Sequence, residues 1–87
     1  MAGSRRQLTA SRFFCINCGQ EGLPIWRKRR RESGHLKGLY CIRCKMVINH
    51  YEARTQADVD RFRAAFEAGE FREAAEESIE YAKKKGL

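Results

Sequence analysis

Four cysteines are the residues in this 87-residue chain best placed to do chemistry, and the sequence contains no others. They form two C-x-x-C pairs, Cys15-Ile16-Asn17-Cys18 and Cys41-Ile42-Arg43-Cys44, with 22 residues between the pairs. Each pair can form a tight knuckle whose backbone amides point back at the first sulfur. Gly19 follows the first pair, where a positive φ is easiest for a residue with no Cβ. Lys45 follows the second, where its charge can partly offset a thiolate. Two such pairs suit a tetrahedral four-thiolate site, and the spacing is that of structural zinc. With all four ligands supplied by the chain, no coordination position stays open for catalysis. The cofactor expected is a structural Zn2+.

Competing uses of the cysteines fit less well. Two disulfides favour an oxidising compartment, and Met1-Ala2-Gly3-Ser4-Arg5-Arg6 lacks the apolar core of a secretory signal. A redox C-x-x-C needs a thioredoxin-like βαβ pattern, which is missing. A four-thiolate iron site has the same ligands, and spacing alone does not separate it from zinc. Reduced cysteines and the absence of an apolar run of about 18 residues lead to the expectation of a cytoplasmic protein that does not enter a membrane.

These ligands need a scaffold that the chain can barely build alone. Residues 12–54 number about 43, near the size below which a metal or disulfides are usually required. Arg12-Phe13-Phe14-Cys15 reads as a short strand into the first knuckle, with Phe13 or Phe14 as core. Leu23 to Arg31 reads as a second strand, apolar at its start and basic at its end; Pro24 lacks an amide donor and argues for an edge. Glu32-Ser33-Gly34 supplies turn chemistry, and His35 to Tyr40 returns to the second knuckle. The expected product is a basic hairpin with Arg27-Lys28-Arg29-Arg30-Arg31 at its tip. Met46 to Arg54 is the last strand. Its alternation puts Met46, Ile48, His50 and Glu52 on one face and Val47, Asn49, Tyr51 and Ala53 on the other. His50 is expected to be packed or hydrogen-bonded, because four cysteines already complete a tetrahedron.

Composition changes at Thr55. Thr55-Gln56-Ala57-Asp58 carries helix-start chemistry. Helices are predicted over about 56–68 and 70–85, with Gly69 and Gly86 at their C-terminal ends. Val59, Phe62 and Phe66 form one apolar stripe; Phe71, Ala74, Ala75, Ser78, Ile79 and Ala82 form another. The stripes can pack on each other or on the ribbon. The competing use is docking on a partner protein through Val59, Phe62, Phe66, Phe71 and Ile79. The predicted class is thus small α+β: a flexible basic arm over 1–11, a three-stranded antiparallel zinc ribbon over 12–54, and a two-helix extension over 55–87.

Charge is segregated in the same way. Residues 1–54 hold 12 Lys+Arg against 3 Asp+Glu, and residues 55–87 hold 6 against 8. The basic half is the cysteine half, which favours a polyanionic partner, most simply a phosphate backbone. The candidate contacts are Arg27, Lys28, Arg29, Arg30, Arg31, Lys37, Arg43 and Lys45, with Trp26 or Tyr40 available to stack on a base. No Ser-His-Asp set, phosphate-cradling glycine loop or carboxylate pair near the cysteines is present, so neither an enzyme nor a small-molecule substrate is expected.

Residues 15–54 resemble the four-cysteine form of the bacterial large-subunit ribosomal L-thirty-three family. The resemblance is carried by Cys15, Cys18, Gly19, Tyr40, Cys41, Cys44, Lys45, His50, Glu52 and Arg54. It implies a three-stranded zinc ribbon that binds ribosomal RNA through the Arg27–Arg31 hairpin and Lys45, so RNA is preferred to DNA. The inter-knuckle segment is about one residue shorter than in that family, its leucine spacing differs, and residues 55–87 have no counterpart there. That extension suggests a second expectation, an adaptor docking on a ribosome or RNA polymerase component.

Overall fold

The computed structural model describes residues 9–27 and 35–86. Four strands precede two helices: β1 (Thr9–Cys15), β2 (Ile25–Arg27), β3 (Leu36–Cys41), β4 (Met46–Ala53), α1 (Gln56–Glu67) and α2 (Arg72–Lys85). The sheet is antiparallel in the order β2-β1-β4-β3. Its three-stranded centre, β1-β4-β3, brings both knuckles to one end, since Cys15 lies opposite His50 and Cys41 opposite Met46.

The pairing of β2 departs from the expected hairpin. β2 and β3 lie at opposite edges of the sheet rather than beside each other. The cause is the first knuckle, which turns the chain straight back onto β1. Cys15 N–H donates to the Gln20 carbonyl (3.0 Å) and Gly22 N–H to the Phe13 carbonyl (2.9 Å), and Ser11 then faces Ile25. Between the Phe14–Glu21 bridge and the Ser11–Ile25 pair, β1 spends Arg12 and Phe13 while the other side spends Gly22, Leu23 and Pro24. The extra residue is a bulge, where a proline is tolerated at a sheet edge. Leu23 is consequently 85% exposed rather than buried. β1 also begins at Thr9, three residues inside the expected arm. Residues 1–8 of that arm, and the tip residues Lys28, Arg29, Arg30 and Arg31, lie outside the described residues, as do the side chains of Trp26 and Arg27.

The face alternation of β4 holds. Opposite residues in antiparallel strands share a face, so Phe14, Tyr51 and Leu36 lie on one side, and Cys15, His50 and Lys37 on the other. The helices cover the Tyr51 side. Phe62 of α1 lies 5.2 Å from the rings of Phe14, Tyr51 and Phe71, and 5.5 Å from Phe66. Phe14, Ile16, Ala53, Val59, Phe62 and Ala75 form the main core. Of the two uses expected of the apolar stripes, internal packing is the one seen: Val59 and Phe62 are buried, and Phe66, Phe71 and Ile79 pack on the two core clusters. The ribbon is too thin to bury Phe14 and Tyr51 by itself, so it takes the helices as its second layer.

α1 starts where its capping residues dictate. Thr55 Oγ1 accepts from Asp58 N–H (3.1 Å), and the Asp58 carboxylate accepts from the Thr55 amide (3.2 Å) and the Arg54 amide (3.0 Å) and pairs with Arg61. The three bonds from the Arg54, Thr55 and Asp58 amides satisfy backbone donors that the helix itself cannot. Thr55→Ala should cost about 1 kcal/mol, seen as a melting temperature lower by roughly 4–8 °C, while Thr55→Ser should melt close to the parent. Gly69 follows α1 with φ of +81° and Gly86 ends α2 with φ of +74°, the left-handed conformations expected after a helix.

Candidate metal centre

The four cysteine sulfurs all lie within 4.8 Å of one another. Cys15 Sγ is 3.8 Å from Cys44 Sγ, and Cys18 Sγ is 3.6 Å from Cys41 Sγ. Zinc–thiolate bonds of about 2.3 Å in a tetrahedron require sulfur–sulfur edges of about 3.8 Å. The close pairs match that edge, and both cross between the knuckles. They are not disulfides, since an S–S bond is about 2.05 Å long and all four thiols are free. The donor set is thus built for a four-coordinate metal ion and fits zinc.

The two knuckles are built alike. Gly19 N–H donates to the Cys15 carbonyl (2.8 Å) and Lys45 N–H to the Cys41 carbonyl (2.7 Å). The residue after each second cysteine must then take a left-handed backbone: Gly19 has φ of +79° and Lys45 has φ of +58°. Gly19 is further constrained by Phe66, whose ring would lie 3.2 Å from an added Cβ. Lys45, singled out for its charge, also carries an unusual backbone conformation for a residue with a side chain.

Backbone amides serve the sulfurs. Asn17 N–H donates to Cys15 Sγ (3.4 Å) and Cys44 N–H to Cys41 Sγ (3.5 Å). Asn17 Nδ2, 3.3 Å from Cys44 Sγ, adds a side-chain donor across the two knuckles. Without a cation the sulfurs hold their protons unequally. Burial pushes the Cys15 thiol far up, and burial also raises Cys18. Burial opposes ionisation of Cys41 too, but hydrogen bonds from the Cys44 amide and the other sulfurs outweigh it, so Cys41 is lowered. A dication at the centre would favour the thiolate at every position, with proton release on binding.

His50 is not a ligand. It is buried, and its Nδ1–H donates to the Ile48 carbonyl (2.8 Å). Burial lowers its pKa, only partly offset by that hydrogen bond, so the ring is neutral at pH 7.

Two contributions from α2 were missed by reading the sequence. Ile79 packs against the cluster of Cys15, Cys41 and Ile48. Ser78 Oγ accepts from the Asn49 amide (2.9 Å), pinning the helix to β4 next to the site. Both residues stand in the predicted apolar stripe, but nothing in that stripe identifies the cysteine end of the sheet as their target. The contacts make α2 part of the candidate metal centre's housing.

Of the expected nucleic-acid contacts, Lys37 lies opposite His50, half-buried, while Arg43 and Lys45 are exposed on the second knuckle. Tyr40 is exposed but lies opposite Val47, on the helix side of the sheet, so it does not share a face with Lys37. Among the described residues no helix is long and apolar enough to cross a membrane. Comparison of the chain with family models, curated proteins and solved structures gives no match.

Proposed function

We propose that this chain is a non-enzymatic zinc ribbon that binds a nucleic-acid phosphate backbone, RNA in preference to DNA. The observation that carries the reading is charge placement. The half that holds the cysteines has 12 Lys+Arg against 3 Asp+Glu, and Arg43 and Lys45 project from the knuckle itself. Such a concentration is self-repelling unless a polyanion meets it. The preference for RNA rests on the resemblance of residues 15–54 to the ribosomal L-thirty-three family. A structural rather than catalytic role for the metal is supported by the ligand count, since four thiolates leave no position for substrate. Reduced thiolates also suit a reducing compartment such as the cytoplasm.

The test is a salt titration. Affinity of the zinc-loaded chain for a labelled RNA should fall steeply with salt, as counterions are released for each phosphate engaged. Replacing Arg43 and Lys45 by alanine should lower the slope of log K against log salt by about one to two. Extending the change to Arg27–Arg31 should remove most of what remains. Affinity and slope unchanged in all these variants would refute the proposal.

A further inference from the structure

On the sheet face opposite the helices, beside the cysteine cluster, lies an open groove of about 610 Å³. One wall is Leu23, Pro24 and Ile25, displaced outward by the bulge; the other is Leu39, Tyr40 and Ile42; His50 lies at its base. Ile42, inside the second C-x-x-C, is 76% exposed, and Leu23 is 85% exposed. The chain as a whole has a mean hydropathy of −0.67. Large aliphatic side chains grouped on so polar a surface mark an interaction site.

We propose that this groove docks a short acidic segment of a partner protein through aliphatic anchor residues. The aliphatic walls suit leucine- or isoleucine-like side chains. A base would be better held by an aromatic plane; Tyr40 is the one such residue on the lining, against the aliphatic Leu23, Ile25, Leu39 and Ile42 and the ring of Pro24. The charge around the groove selects the rest of the ligand. Lys37 shares the face of His50 and Leu39, and Arg43 adjoins Ile42. The one acid on the lining, Glu21, is already engaged: Arg12 Nε and Nη2 donate to it at 2.8 and 3.1 Å, and that hydrogen bonding lowers its pKa. Lys37 and Arg43 are thus placed next to groove residues while the groove's own carboxylate is committed. An acidic peptide with apolar anchors satisfies both features, and like-charged peptides are rejected.

Leu23 and Ile42 are not among the phosphate contacts proposed above, so the groove can be tested separately through them. Peptides would be selected from a phage-displayed random library on the zinc-loaded full chain, with the Leu23→Ser/Ile42→Ser double variant as counter-selector. Both side chains are exposed, so the variant should keep its zinc content and thermal melt. The expected result is a set of clones rich in Asp and Glu with two or more aliphatic residues, whose synthetic peptides bind the double variant at least tenfold more weakly. Clones without acidic bias, clones that bind both proteins equally, or no enrichment at all would overturn the proposal. It would also be overturned if the double substitution weakened a single-stranded oligouridylate instead, since that would assign the groove to nucleic acid.

Discussion

Cys41→Ser is expected to abolish metal binding and, with it, the folded ribbon. Cys41 is buried and ends β3, and hydrogen bonds from the Cys44 amide and the other sulfurs outweigh burial to lower its pKa. Structural zinc contributes about 10–16 kcal/mol of apparent binding energy at neutral pH. That is comparable with the roughly 5–15 kcal/mol by which a whole domain is stable. The serine variant should therefore contain no stoichiometric zinc by elemental analysis and should lose the dispersed amide signals of β1, β3 and β4. Exhaustive chelation of the parent chain under reducing conditions should give the same spectrum. A chelated protein that retained its dispersed spectrum would show that the cluster is not what holds the sheet.

Phe62→Ala should be the most damaging substitution away from the metal. Its side chain is 1% exposed and meets four aromatic rings within 5.5 Å. Truncating a buried phenylalanine costs about 3–5 kcal/mol, because the lost transfer energy is joined by a cavity the neighbours fill only partly. At roughly 4–8 °C per kcal/mol for a domain of this size, the melting temperature should fall by more than about 12 °C. Zinc should remain bound at the start of the melt, since no cysteine touches the lost ring in the core cluster. A fall of only a few degrees would mean that the helices are held elsewhere than by this ring.

These two residues also mark what could be read from the chain. The cysteines were legible because a knuckle is local: four residues, one turn and a following left-handed position define it. The same holds for Thr55 and Asp58, whose capping bonds span three residues, and for the alternation of β4. The partner of each strand was not legible. The segment after the first knuckle is apolar and then basic wherever it pairs, and nothing in that pattern favours β3 over β1. The reversal at Gln20–Gly22 decides the matter through two backbone bonds. The same decision turned Leu23 outward and created the groove, so the missed pairing and the missed site have one cause. The helical stripes were recognised, but a stripe does not name its target. Phe62 and Ile79 had the right spacing either for an external partner or for the sheet, and the uncovered Phe14–Tyr51 face of the ribbon took them.

The contact of α2 with the cysteines has a kinetic meaning. Ile79 packs on the cluster of Cys15, Cys41 and Ile48, and Ser78 is fastened to β4, so the terminal helix covers part of the cysteine cluster. An ion held there would leave on that side only when the helix swings away. The residence time of a bound metal would then be a clock for the opening of a segment that contributes no ligand.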